Sequence, residues 1–219
     1  LSALALLFFG TFALPSTGIP PLAITRTTQT AAVAAAQPEP EVFGRAAVVY
    51  DMSSKTFLYE KNADAQLPLA SVTKIMLVLA AGRVLAADDI VTITSQAMRT
   101  EGDSGLQLGE QWQVQDLIEA TLIPSSNDGA NALALAAGDG VVSNTVDRMN
   151  KLAREIGLVN TYFINPTGLD ESETMAGSYG SARDMARLFA FVVEKYPAIL
   201  DGTARDSELL VSESGITHT

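Results

Sequence analysis

The sequence predicts an α+β domain in which an antiparallel sheet packs against a cluster of helices. Three observations predict it: two short β-prone runs come first, several helix-length runs follow, and one of those runs is apolar on nearly every face. At roughly 150 residues per domain, 219 residues hold one domain and a little more.

The segment 1–24 carries no charge, and its first fourteen residues (LSALALLFFGTFAL) are almost continuously apolar. It reads as a signal peptide or signal anchor, so the chain is expected to be exported, to the periplasm or the outer face of the cytoplasmic membrane. Residues 25–43 are rich in Thr, Ala, Gln and Pro without apolar periodicity, which is linker composition. The folded domain is expected over 44–219.

Within it, Arg45 to Asp51 and Thr56 to Glu60 flank Met52-Ser53-Ser54-Lys55, which predicts an antiparallel hairpin. Ser71 to Leu85 (SVTKIMLVLAAGRVL) predicts a helix buried in mid-domain, apolar on nearly every face, with its only polar cluster at its first turn. Ile90 to Thr94 alternates as a strand. Val114 to Ile123 is an amphipathic helix stopped by Pro124, and a second helix covers Asp128 to Ala137. Val142 to Ile156 places Val142, Val146, Met149, Leu152 and Ile156 on one face before a C-capping Gly157. Asn165-Pro166-Thr167-Gly168 is turn chemistry. A last helix runs from Ser181 to Tyr196, and no clear element is expected beyond it. The strands that would complete the sheet are expected to be missing from this chain.

Composition narrows the chemistry. Fourteen Lys and Arg against 25 Asp and Glu give a net charge of −11, which repels phosphate backbones, so no nucleic-acid partner is expected. With no Cys there is no disulfide, Cys-zinc site or thiol nucleophile, and a single His excludes a His-rich metal site. That His, His218, lies at what reads as a fraying end, a poor place for the base of a Ser-His-Asp triad. No metal or cofactor is expected. A covalent hydrolase built from this chain needs Ser or Thr as nucleophile, with Lys, a carboxylate or water as its activator.

Ser71 and Lys74 stand three apart at the start of the apolar helix, so one turn places hydroxyl and amine on the same face. The helix start offers amide N–H groups to a developing oxyanion, and the apolar shaft behind Lys74 favours its neutral, basic form. The plainer reading makes Ser71 an N-cap and Lys74 a snorkelling side chain. A second constellation, Ser125-Ser126-Asn127, lies in the break between two helices, where the same residue types also serve as caps.

Taken together, the stretches AAVVYDMSSKTFLYEKNADAQLPLASVTKIM, LGEQWQVQDLIEATLIPSSNDGANALA, MNKLAREIGLVNTYFINPTGLD and YGSARDMARLF resemble the D-alanyl-D-alanine carboxypeptidases. These are low-molecular-mass penicillin-binding proteins of the serine DD-peptidase and β-lactamase superfamily. The resemblance covers Ala46 to Gly202. It implies a DD-peptidase-like fold with Ser71 as acyl-ester nucleophile, Lys74 as its base, Ser125 as proton relay and Asn127 as a substrate-binding residue. It further implies peptidoglycan pentapeptide as substrate and β-lactams as inhibitors, with membrane contact only through the N-terminal segment or a missing C-terminal region. The superfamily's third motif, Lys-Thr-Gly on a late strand, is absent, since no Lys follows Lys195. The chain is therefore expected to be truncated before that motif and inactive by itself. The competing readings are a serine β-lactamase or DD-endopeptidase of the same superfamily, and a module that binds peptidoglycan or β-lactam without hydrolysis.

Overall fold

The computed structural model describes residues 40–102, 104–205 and 208–218. The apolar segment and most of the linker, with the expectations of a signal peptide or anchor and of export attached to them, lie outside the described residues. One compact unit, Val42–Thr219, contains every element described here. Among the described residues no helix is long and apolar enough to cross a membrane.

β1 (Ala47–Asp51) and β2 (Thr56–Lys61) form the expected antiparallel hairpin, with Tyr50 opposite Phe57 and their rings 4.9 Å apart. Asp51 closes the turn by accepting from Ser53 N and from the Ser54 hydroxyl at 2.9 and 2.6 Å. β3 (Leu67–Pro68) leads into a 3-10 turn, Ala70–Val72, and then into α1 (Thr73–Ala81). β4 (Ile90–Thr92) pairs with β5 (Gln111–Gln113), which opens into α2 (Val114–Leu122) and, after a four-residue break, α3 (Asn127–Ala137). α4 (Val142–Glu155) ends at Gly157, whose φ of 76° is the left-handed conformation a C-cap glycine adopts. β6 (Tyr162–Phe163), β7 (Ser178–Gly180) and α5 (Ala182–Lys195) follow. β7 is the middle strand of an antiparallel sheet ordered β3-β7-β6.

α1 is buried on all sides, as its sequence predicts: each of its nine residues is buried. Ile75, Met76, Leu77 and Leu79 pack with residues of α3, α4 and α5, while Val78 joins a second cluster around Trp112, Leu117 and Leu133. A helix with apolar neighbours on every side has no solvent face to mark with charge.

Three expectations require correction. The helix predicted over Ser71 to Leu85 is shorter, because Ser71 lies in the preceding 3-10 turn and Gly82, a poor helix former, begins the turn that ends it. The chain after α5 is not featureless: a 3-10 stretch, Pro197–Ala204, leads to the hairpin β8 (Leu210–Val211) and β9 (Thr217–His218). His218 is not at a fraying end. Its Nε2 lies 2.6 Å from the buried Glu110 carboxylate, its ring packs 5.3 Å from Trp112, and Glu213 N donates to Gln111 O to hold the hairpin on β5.

Candidate active site

The site forms where three loops converge on the start of α1. Ala70 has φ of 48°, an unusual conformation for a residue with a Cβ, and it turns the chain so that Ser71 is exposed at the head of the helix. The side chain of Ser71 caps nothing, since the N-cap position of α1 falls on Val72 and has no side-chain hydrogen bond. Its hydroxyl lies 3.0 Å from Lys74 Nζ. The sequence alternative in which Ser71 is only a cap is thereby removed.

Lys74 is 1% exposed. Its Nζ also lies 3.3 Å from the Ser125 hydroxyl and 3.3 Å from the Thr167 carbonyl oxygen. Burial lowers its pKa from 10.5 to about 8, because an apolar surround penalises the ammonium form. A neutral lysine has two N–H donors and one lone pair. It can therefore donate to Ser125 Oγ and Thr167 O while accepting the proton of Ser71.

The two readings of Ser125-Ser126-Asn127 are divided between its residues. Ser126 is the N-cap of α3: its Oγ accepts from Gly129 N at 2.9 Å and meets the Ser104 hydroxyl at 2.6 Å. Ser125, at φ 59°, turns away from the helix so that its hydroxyl meets Lys74. Asn127 is the first residue of α3, half-buried, and its Nδ2 donates to Glu101 O at 2.7 Å. Ser71, Lys74 and Ser125 are thus in mutual contact through one amine, and Asn127 stands two residues further along the same loop, tied to the strip of chain around Glu101.

Thr167 is the member that sequence reasoning missed. Its contribution is a main-chain carbonyl, which no side-chain pattern announces; the only available signal was the Asn165-Pro166-Thr167-Gly168 turn. The same turn supports Ser71. Gly168, at φ 80°, packs so closely on the Ala70 carbonyl that a Cβ there would lie far inside van der Waals contact. From the other side the hydroxyls of Thr73 and Ser178 are hydrogen-bonded, and Leu69 N donates to Ser178 O at 3.2 Å, so β7 braces the turn as well. Among the described residues no cluster of His, Asp and Glu could hold a metal ion.

The family described as D-alanyl-D-alanine carboxypeptidase, peptidase S11, matches residues 31–216. The D-alanyl-D-alanine carboxypeptidase DacF of Bacillus subtilis is 35% identical over 170 residues, 74% of this chain and 42% of that protein. The chain thus spans about two fifths of the length of this relative. Among solved structures, a D-alanyl-D-alanine carboxypeptidase from Mycobacterium tuberculosis superposes with TM-score 0.75 at 26% identity, covering 85% of this chain and 69% of that one. Penicillin-binding protein D2 of Listeria monocytogenes, in its ampicillin-bound form, superposes with TM-score 0.64 at 25% identity over 83% of this chain and 73% of that one. By sequence and by fold, the chain belongs to the D-alanyl-D-alanine carboxypeptidase family.

Proposed function

We propose that the protein is a serine peptidase that removes the terminal D-alanine from peptidoglycan stem peptides, outside the cytoplasmic membrane, through an acyl-enzyme on Ser71. The observation that carries this reading is the buried Lys74 amine within hydrogen-bonding distance of both the Ser71 and Ser125 hydroxyls. The family membership and the names of its relatives supply the substrate class.

In the proposed reaction Ser71 Oγ forms a bond to the carbonyl carbon between the two D-alanines, and its proton passes to neutral Lys74. The backbone N–H of Ser71 donates to the oxyanion, a contact worth on the order of 3 kcal/mol. The C–N bond then breaks. Ser125 gives its proton to the leaving D-alanine nitrogen and takes one from the Lys74 ammonium, which leaves the amine neutral. Asn127 holds the substrate's amide. Water attacks the ester, its proton travels through Lys74 to Ser71 Oγ, and the shortened peptide departs. The ampicillin-bound relative supports β-lactams as ligands, and in this reading they acylate Ser71.

The test, on the full-length protein, is release of D-alanine from a synthetic peptide ending in D-Ala-D-Ala, alongside labelling with fluorescent penicillin. The expected result is D-alanine release and one slowly lost label per chain, both abolished in Ser71→Ala. Labelling that persists in the variant shows that the nucleophile is misassigned, and rapid multiple turnover of penicillin makes the protein a β-lactamase instead.

A further inference from the structure

The Thr167 carbonyl reaches Lys74 only because its loop is held in one shape, and a single side chain does most of the holding. The Asn165 Oδ1 accepts from Thr167 N at 3.2 Å, from the Thr167 hydroxyl at 3.1 Å and from Gly168 N at 2.8 Å. Its Nδ2 donates to Leu169 O at 2.8 Å and to Glu171 Oε1 at 2.6 Å. The turn therefore closes around one carboxamide, and Gly177 leaves the room it needs, since a Cβ at 177 would overlap that group. Ile164 N and Asn165 N both donate to Gly177 O, fixing the base of the loop to the strand side. Thr167 is 3% exposed, so its carbonyl is removed from water and directed at the amine.

Resting on the reading of Ser71 and Lys74 given above, we propose that Asn165 is a positioning residue for acylation. It holds the Thr167 carbonyl against Lys74 and so keeps the lysine lone pair on Ser71. A neutral amine rotates freely about its last bond, and its lone pair points at Ser71 only when its N–H groups are engaged elsewhere. Ser125 engages one and Thr167 the other. The loop also caps the amine: burial is the cause of the lowered Lys74 pKa, and a loosened loop lets water reach Nζ. The groups facing Nζ are two hydroxyls and a carbonyl, and the nearest carboxylate in this network, Glu171, is held on the far side of Asn165.

The experiment measures the second-order rate of acylation by fluorescent penicillin as a function of pH, with folding followed by thermal melting. Asn165→Ala is expected to slow acylation by about tenfold or more and to move the half-point of the pH profile upward by about one unit. A merely structural role lowers the melting temperature without moving that half-point. An unchanged half-point or an unchanged rate in Asn165→Ala overturns the proposal. If Asn165→Ala does not fold, Asn165→Ser carries the same two outcomes. Failure of Ser71→Ala to abolish labelling would instead count against the underlying assignment of the nucleophile, which separates the two.

Discussion

Lys74 illustrates how a residue acquires a function from its surroundings. In water its amine is protonated at neutral pH; at 1% exposure its pKa falls to about 8. Roughly a tenth of the molecules at pH 7 then carry the neutral base. Acylation of Ser71 is accordingly expected to rise about tenfold per unit below pH 8 and to level off above it. A pH profile of penicillin acylation checks this, and a rate that stays flat between pH 6 and 9 removes Lys74 from the role of base. The effect on stability has a definite sign. The native pKa lies below the unfolded one, so the cost of burying the ammonium is fully present below pH 8. It is relieved between about 8 and 10.5, where the native state has lost a proton that the unfolded chain keeps. Ser71, Lys74 and Ser125 were legible in the sequence because an i,i+3 pair and a Ser-x-Asn loop are local patterns. Thr167 was not, because its contribution is a backbone oxygen brought from 93 residues away.

Elements of two or three residues, β3, β6 and β7, hold the site in place. They are held in turn by Gly168, whose backbone sits against Ala70 immediately before Ser71. Gly168→Ala adds a Cβ at φ 80° and drives it into the Ala70 carbonyl, whereas Gly157→Ala adds one at φ 76° with nothing within 4 Å. The second change meets only the left-handed backbone cost of about 1 kcal/mol, and the first is expected to cost about 3 kcal/mol or more. Thermal melting should separate them, with a fall of roughly 6–12 °C for Gly168→Ala and 2–4 °C for Gly157→Ala. Equal losses would mean that contact with Ala70 carries no energy. The long helices were legible from their apolar faces within one or two residues at most ends. The exception was α1, which buries every face and left its ends to be guessed. Strands as short as Leu67–Pro68 have no period to read. They exist because Ser178–Gly180, more than a hundred residues later, supplies their hydrogen bonds.

On the scale of the whole molecule the two apolar clusters meet through α1, whose Met76 and Leu77 belong to one and Val78 to the other. The sequence predicted this helix as the centre of the domain. It did not predict the hairpin β8 and β9, whose register depends on Glu110, Gln111 and Trp112 some hundred residues earlier. A shared central helix implies that neither cluster survives the loss of the other, so unfolding is one cooperative transition. The chain has one tryptophan, Trp112, fully buried in the second cluster, which makes it a reporter of that cluster alone. Leu188 is fully buried in the first cluster, on α5. Leu188→Ala is expected to cost about 2–5 kcal/mol, lowering the melting temperature by roughly 4–20 °C. Trp112 fluorescence and far-ultraviolet circular dichroism should then shift together by the same amount. A dichroism transition that moves while the Trp112 transition stays in place would show two separately folding halves, and α1 would then be a link between them and not their common core.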